Sequence, residues 1–345
     1  MKRVLALSAV VFLICLILGY CGDAISQKSS AGVSLETTVS DRAEDLEEPD
    51  NSGAAGTAES GSSTEGIDET DDAQPTAASG EYNDASGKII TETLSPYAAP
   101  QSFGKIYMKN STSQEIDIEK ELTTPPGWSP KLGSEPEVLI LHTHATETYM
   151  TGDRDYYTED DQVRSTDDSV NMVRVGEAMA ERLRAQGISV LHDTTHHDET
   201  AYTGSYDRSC ETAENYLEKY PSIKVILDLH RDSVSREEGK LKPVCQVGDR
   251  NAAQLMIVLG CEDGSAPEHP EWRTNLRLGL RFQQALEIMY PELARPLSVV
   301  AHRYNQHLAP GAMLMEIGTE ANTLSEAIYT AQLAGDTLAR VLKQL

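Results

Sequence analysis

Basic residues are scarce in this chain. Its 345 residues contain 29 Lys and Arg against 55 Asp and Glu, which gives a formal net charge of −26. Proteins that bind nucleic acids need Lys and Arg to neutralise the phosphates. The acidic balance therefore argues against nucleic acid as a partner.

Cysteine is scarce as well, with five residues in the whole chain: Cys15, Cys21, Cys210, Cys245 and Cys261. Three of them lie beyond the N-terminal region, an odd number that cannot pair completely into disulfides. They also lack the paired spacing of a zinc ribbon. We therefore expect free, buried thiols and no disulfide framework.

One long apolar run stands out at residues 4–20, after the basic residues Lys2 and Arg3. Its 17 residues lie at the lower end of the ~17 to 25 that span a bilayer. Tyr20 suits a signal-peptide cleavage site poorly, so a retained anchor at residues 1–21 is favoured over a cleaved signal. The basic residues keep the N-terminus in the cytoplasm. We expect a single-pass protein of the cell membrane with the rest of the chain outside the cytoplasm.

Residues 22–100 contain 17 acidic residues against three basic ones, so this stretch carries a net charge of −14. It also has almost no aromatic residues and no sustained periodicity. Such a segment buries too little apolar surface to offset the entropy lost on ordering. The sequence predicts a disordered acidic linker here.

From about residue 101, apolar strand-like segments alternate with amphipathic helical ones, and no internal repeat is visible. The predicted strands cover residues 103–108, 138–141, 188–191, 225–229, 255–259, 298–301 and 313–317. The predicted helices cover residues 168–186, 206–219, 273–290 and a final segment from 324. This alternation predicts an α/β domain at residues 101–345, with a mostly parallel sheet flanked by helices.

Metal-binding side chains follow two of these strands. His144 and Glu147 come just after residues 138–141, and His230 comes directly after residues 225–229. Functional side chains collect at the carboxyl ends of parallel strands, and a catalytic zinc ion takes three protein ligands. The sequence therefore predicts a zinc site formed by His144, Glu147 and His230.

Other residues compete for places in this site. His142 points to the opposite side of the strand from His144 and is assigned a supporting role, with an exchange of the two roles left open. Asp167 and Asp168 are rival carboxylate ligands, although capping of the next helix is the favoured explanation for them. We expect His196, His197 and His269 to be exposed, since their neighbours are polar or proline.

Two further residues could act in catalysis. Glu316 is a carboxylate inside an apolar strand, where an unpaired charge is costly. It could take a proton from water and deliver it to a leaving nitrogen. Arg231 could polarise a carbonyl or hold a substrate carboxylate. The alternative is a salt bridge between Glu316 and Arg231.

The order of several motifs resembles the stage II sporulation protein P family over roughly residues 100–345. These motifs are His-Thr-His-x-x-Glu-x-Tyr at 142–149, Asp-Leu-His-Arg-Asp-Ser at 228–233 and the Glu-Ile-Gly segment within 315–327. By this resemblance His230 matches a histidine ligand and Glu316 matches the catalytic glutamate. Related amidases carry Gly-His-Gly-Gly where this chain has Thr-His-Ala-Thr. That departure leaves the carboxylate ligand open between Glu147 and Asp167 or Asp168.

The resemblance implies a zinc-dependent peptidoglycan hydrolase with a fold similar to zinc amidases and carboxypeptidases. It would cleave the amide between N-acetylmuramic acid and L-alanine, with possible endopeptidase activity on cross-links, during forespore engulfment. Implied partners are the sporulation proteins D, a transglycosylase, and M, a membrane scaffold, at the engulfing mother-cell membrane. The alternatives are a zinc carboxypeptidase or endopeptidase acting on stem peptides, and an inactive scaffold that binds the wall.

Overall fold

A computed structural model describes residues 86–264 and 268–345. The predicted anchor and all but the last residues of the predicted linker lie outside this described part.

The described chain forms thirteen strands and five α-helices. The strands are β1 Gly87–Glu92, β2 Gln101–Phe103, β3 Ile106–Asn110, β4 Val138–Leu141, β5 Tyr156–Tyr157, β6 Val190–His192, β7 Val225–Asp232, β8 Ser235–Arg236, β9 Gly239–Val247, β10 Arg250–Ala253, β11 Leu255–Gly260, β12 Leu297–Val300 and β13 Met313–Thr319. The helices are α1 Ile118–Thr123, α2 Met172–Ala185, α3 Ser205–Lys219, α4 Trp272–Met289 and α5 Leu324–Leu342. The predicted α/β class is confirmed.

Eight strands form the main sheet in the order β2-β3-β12-β11-β13-β7-β4-β6. The β2–β3 and β11–β13 pairs are antiparallel, and the second lies in the middle of the sheet. The prediction of a mostly parallel sheet is therefore wrong, because the sheet is mixed. The link from β12 to β13 contains only a short 3-10 turn. Through this link the chain re-enters the sheet at the same end at which β12 stops, so β13 runs antiparallel to β11.

Helices cover the two faces of this sheet unequally. Side chains from α2, α4 and α5 pack with Ile140, Leu227 and Leu229 in the largest apolar cluster. The alternate residues Leu139 and Ile226 face the opposite side and pack against α3 in a smaller cluster. Successive residues of a strand point to opposite faces, so each residue of β4 and β7 belongs to either the α2 side or the α3 side.

The helix boundaries follow from local capping. The side chain of Asn171 accepts a hydrogen bond from the Val173 N–H and starts α2. Gly187 follows its end with a φ of 79°, a conformation that suits glycine. Thr323 and Glu326 form a capping box at the start of α5. The helix predicted from residue 168 thus begins only at Met172.

A second sheet, with the order β10-β9-β1-β5 and β8 paired to β9, was not predicted. Its strand β1 pairs in parallel with β9, from Ile89 opposite Lys240 to Glu92 opposite Pro243. Regular structure therefore begins before residue 101. The apolar pattern of β9 is hidden by two lysines and a proline, so its sequence does not look like that of a buried strand.

The expected single-pass location in the cell membrane needs correction. None of the helices within residues 86–264 and 268–345 combines the length and apolar character needed to cross a bilayer. The longest, α5, has 19 residues and carries Glu326, Asp336 and Arg340. Residues 4–20, which suggested the anchor, lie outside the described residues.

Candidate metal site

The side chains of His144, Glu147 and His230 meet at one point. One donor atom from each lies within 4.8 Å of the other two, and all three residues are buried. The prediction that these three side chains come together agrees with the structure. Two nitrogens and one carboxylate oxygen match the ligand types that zinc takes in catalytic sites.

Strand pairing explains this meeting. Parallel pairing of β4 with β7 sets Leu141 opposite Asp228. The turn that follows Leu141 therefore lies beside the end of β7, where His230 is located. Within this turn the Glu147 N–H donates to the carbonyl of His144 at 3.3 Å, which brings the two side chains to the same side.

The two histidine rings are nearly perpendicular, but each turns the same nitrogen toward Glu147. The Nε2 atom of His144 lies 3.1 Å from Ser205 Oγ, and the Nε2 atom of His230 lies 3.0 Å from Asp228 Oδ1. The Nδ1 atoms face Glu147, at 3.5 Å for His144 and 3.7 Å for His230. Ligating histidines usually have their second nitrogen held by an outer partner. Both rings thus present Nδ1 to the centre of the cluster.

Hydrogen bonds and histidine contacts favour the ionised forms of the two carboxylates of the cluster, Asp228 and Glu147. Asp228 accepts from the Thr143 N–H at 2.8 Å and the Thr143 hydroxyl at 2.7 Å. Burial acts to raise the pKa of Asp228, but His230 and Thr143 outweigh it and lower the pKa below its usual value. Glu147 accepts from the backbone N–H of Arg231 at 2.9 Å. Burial likewise opposes ionisation of Glu147, but its histidine contacts hold the pKa well below the usual value.

Glu316 lies next to the cluster on β13. Its Cα is paired with that of His230 in the parallel β13–β7 ladder, so the two side chains share the face that carries α3. Burial first, and the charge of Asp232 second, raise the pKa of Glu316 to about 8. Within the described chain, its enclosed Oε2 atom has no hydrogen-bond partner. A carboxyl group in this state can exchange protons near neutral pH.

Arg231 differs from the prediction. It follows His230 in β7, and strand alternation sends its side chain to the opposite face of the sheet. The guanidinium donates to the carbonyls of Thr148 and Val163 at 2.6 and 2.8 Å. It lies 3.8 Å from a carboxylate oxygen of Glu320, and the side chain is 0% exposed. Arg231 is therefore a structural residue on the opposite face of the sheet from the cluster, with its donors taken by backbone carbonyls. The pairing proposed as an alternative for Glu316 is made with Glu320 instead.

His142 lies on the α2 side of the sheet. Its Nδ1 atom is 3.1 Å from the carbonyl of Leu229, and its Nε2 atom is 2.9 Å from Nε2 of His192. Burial, reinforced by the nearby His192, lowers the pKa of His142 to about 3. Both ring nitrogens have partners, so His142 supports the backbone beside His230 and is not exchanged with His144.

The rival carboxylates are used elsewhere. Asp167 accepts from the N–H and hydroxyl of Ser169 at 2.9 and 2.7 Å. Asp168 lies 2.7 Å from Nε2 of His196. Both acids are exposed, and both precede the Asn171 cap of α2. The structure thus brings Glu147, and neither aspartate, to the two histidines.

Two of the three histidines expected to be exposed are buried. His197 places Nδ1 2.9 Å from the carbonyl of His142 and Nε2 3.0 Å from Thr212 Oγ1. His269 lies 3.3 Å from the Asn275 side-chain nitrogen. Both histidines have polar sequence neighbours, which suggested exposure, but their rings contact polar groups in the interior of the protein. His196 is half-buried and pairs with Asp168.

Three residues around the cluster were not predicted as site residues. Asp228 could have been found, because its spacing of two from His230 places both side chains on the same strand face. Ser205 and Tyr206 come from the start of α3, and Tyr206 stacks with His230 at 6.3 Å between ring centres. Their position depends on how α3 packs, which no local pattern indicates.

The expectation of free, buried thiols holds for two of the three cysteines. Among the described residues Cys245 and Cys261 are free and buried, whereas Cys210 is only half-buried.

Comparison with known proteins gives one strong match. A model of the family described as "Stage II sporulation protein P (SpoIIP)" matches residues 33–343. Stage II sporulation protein P of Bacillus subtilis (strain 168) is 25% identical over 223 residues, which cover 61% of this chain and 52% of that protein. The chain thus spans about half the length of the curated relative that it matches.

Solved structures give weaker similarity. The N-acetylmuramoyl-L-alanine amidase from Clostridium difficile 630 is 16% identical with a TM-score of 0.34, covering 61% of this chain and 95% of its own. The amidase Ami1 from Mycobacterium smegmatis is 13% identical with a TM-score of 0.35, covering 62% and 100%. Scores this low carry no conclusion about function.

Proposed function

Because the chain belongs to the stage II sporulation protein P family, we propose that it is a zinc-dependent peptidoglycan hydrolase of sporulation. The proposed reaction is cleavage of the amide between N-acetylmuramic acid and L-alanine. The family membership confirms the resemblance seen in the order of the motifs. The zinc dependence and the bond that is cut are our proposals.

The observation that carries the proposal is the buried group of His144, Glu147 and His230 beside Glu316. Two imidazoles and a carboxylate whose donor atoms converge on one buried point form the kind of group that coordinates a metal ion. The outer partners Ser205 and Asp228 fix both rings with Nδ1 inward, as expected for metal ligands. This donor set fits zinc.

A zinc ion held by this group would act as a Lewis acid and would lower the pKa of a bound water molecule to about 7. The protein's own residues would do the rest. Glu316 would accept the proton of the attacking water and deliver it to the leaving nitrogen, since its Oε2 atom is unpartnered within the described residues. Asp228 would keep the His230 ring in place and make its Nδ1 atom a stronger electron-pair donor.

The test is digestion of purified sacculi by the full-length protein, with and without a chelator, followed by zinc addition. We expect zinc to restore activity that chelation abolishes, and the fragments to be lactyl-terminated glycan strands and intact stem peptides. Cut stem peptides would favour the carboxypeptidase or endopeptidase alternative. Turnover that survives complete metal removal would contradict the proposal, and zinc-loaded protein that releases no fragments would favour a scaffold.

Glu316→Gln separates catalysis from metal binding. We expect it to abolish turnover while zinc content stays equal to that of the wild type, because Glu316 lies outside the ligand group. Glu218→Gln, an exposed change on α3, is the matched control and should leave turnover unchanged. Association with the sporulation proteins D and M during engulfment is part of the same proposal, and copurification from sporulating cells tests it.

A further inference from the structure

Arg295 is a buried arginine close to Glu316. The residue is 6% exposed and lies just before β12. Its N–H donates to the carbonyl of Leu255 at 2.8 Å, and its carbonyl accepts from the Gln283 side chain at 3.1 Å. The backbone that carries the guanidinium is therefore fixed on both sides.

The guanidinium points toward the face that carries the metal cluster. Its Nη1 atom donates to Asp232 Oδ2 at 2.8 Å. Asp232 follows His230 by two positions in β7, so the two share a strand face. The positive charge of Arg295 also acts to lower the pKa of Glu316, against the larger effect of burial. Arg295 therefore belongs to the surroundings of Glu316.

Two donors of this guanidinium are unused. Within the described residues, the Nε and Nη2 atoms of Arg295 are buried and have no hydrogen-bond partner. Asp232 contacts this guanidinium only through Nη1, and its Oδ1 atom accepts from the Ser233 N–H at 2.8 Å. Buried donors without acceptors are unfavourable, so a substrate group that supplies acceptors would gain binding energy here.

These two atoms form the side edge of the guanidinium, where two N–H bonds point in parallel. The same protein shows what this edge binds. The Nε atom of Arg182 donates to Asp336 at 3.1 Å and its Nη2 atom donates at 2.7 Å, so one carboxylate takes the whole edge. Two parallel donors match the two oxygens of a carboxylate better than any single acceptor.

We infer that Arg295 binds a carboxylate of the peptide part of the substrate through its Nε and Nη2 atoms. This inference rests on the proposed function and deepens it, because it assigns a specificity-determining residue beside Glu316. An Arg–carboxylate contact at this point would hold the peptide while the amide lies over the metal ligands. The enzyme would then prefer peptides with free carboxylates over peptides in which the carboxylates are amidated.

The test measures binding, so it does not depend on turnover. Two synthetic stem peptides, one with free carboxylates and one with all carboxylates amidated, are titrated calorimetrically into full-length protein. We expect the wild type to bind the acidic peptide about 10- to 100-fold more tightly, the range of a charge-assisted hydrogen-bond pair. Arg295→Lys keeps the charge but loses the parallel donors, and it should lose most of this preference.

Arg182→Lys is the matched control, because it removes the same kind of donor pair far from the cluster and should keep the wild-type preference. Equal binding of both peptides by the wild type, or no binding of either, would overturn the inference. So would an unchanged preference in Arg295→Lys. If Arg295→Lys fails to fold in a melting experiment, the comparison of the two peptides on wild type alone decides.

The outcome is separable from that of the proposed function. Sacculus digestion without any carboxylate preference would refute the role of Arg295 alone. A carboxylate preference in protein that cuts no sacculi would refute the proposed reaction and leave the binding site in place.

Discussion

Asp228→Asn should weaken zinc binding without unfolding the protein. Asparagine has the same shape, so its oxygen can still accept from the Thr143 N–H, 2.8 Å from Asp228 Oδ1. It can also stay beside His230 Nε2, which lies 3.0 Å from the same oxygen in an ion-pair contact. The Thr143 hydroxyl, 2.7 Å from Oδ2, can turn to accept from the new amide. Only the negative charge behind the His230 ring is lost.

The size of the effect follows from this contact. A hydrogen bond to a charged group is about twice as strong as a neutral one, so the change should remove about 1 to 2 kcal/mol. Loss of an outer partner of a ligating histidine typically lowers metal affinity about 10- to 100-fold. We therefore expect a rise in the zinc dissociation constant within this range, measured by competition with a chromophoric chelator.

Ser205→Ala is the comparison, because it removes the neutral partner of His144 Nε2. Its effect should be smaller, about fivefold. Melting curves of the metal-free proteins check that both variants fold. A zinc dissociation constant for Asp228→Asn equal to that of the wild type, or a larger loss in Ser205→Ala, would refute the reasoning.

Three further predictions concern stability. Arg231→Met should lower the free energy of unfolding by about 3 to 5 kcal/mol, because it leaves buried backbone carbonyls and a buried carboxylate without their partner. Urea unfolding measures this loss, and a loss below ~1 kcal/mol would contradict the structural role of Arg231. Gly176→Ala should destabilise by about 1 to 3 kcal/mol, since a Cβ there would lie 2.5 Å from Nε2 of His142; an unchanged melting temperature would argue against that packing. Burial first, and the nearby His307 and Arg303 second, lower the pKa of His269 to about 4. In the unfolded chain its pKa is about 6.5. The unfolded state therefore binds the proton first, and the free energy of unfolding falls as the pH drops from about 6.5 to about 4. In His269→Gln, urea unfolding across this range should show a shallower fall, and a slope equal to that of the wild type would be the contrary result.

The main sheet was largely predictable because its strands are apolar runs between amphipathic helices. The predicted strand at 225–229 corresponds to β7, although β7 continues to Asp232. The same sequence could not reveal the direction of β13. That direction depends on whether the link from β12 crosses over the sheet, and a helix-free link of this length allows either choice.

The site was predictable to the same extent. Each histidine of the cluster follows an apolar run of residues, which is a local signal. The position of Arg231 was misjudged because its neighbour His230 was treated as the end of the strand. Once β7 continues, alternation sends Arg231 to the far side. Arg295 carries no signal at all, since its meeting with Asp232 joins residues 63 positions apart.

Strand β1 has a consequence for the order in which the molecule is assembled. Its partner β9 lies about 150 residues later, with Ile89 opposite Lys240. Closing so long a loop costs conformational entropy. Only the contacts that β1 makes in the folded sheet offset this cost. During synthesis β1 leaves the ribosome early, but its parallel pairing with β9 can form only after β9 has been made. We therefore expect its amide hydrogens to exchange with solvent faster than those of β7, because contacts added last are the first to open.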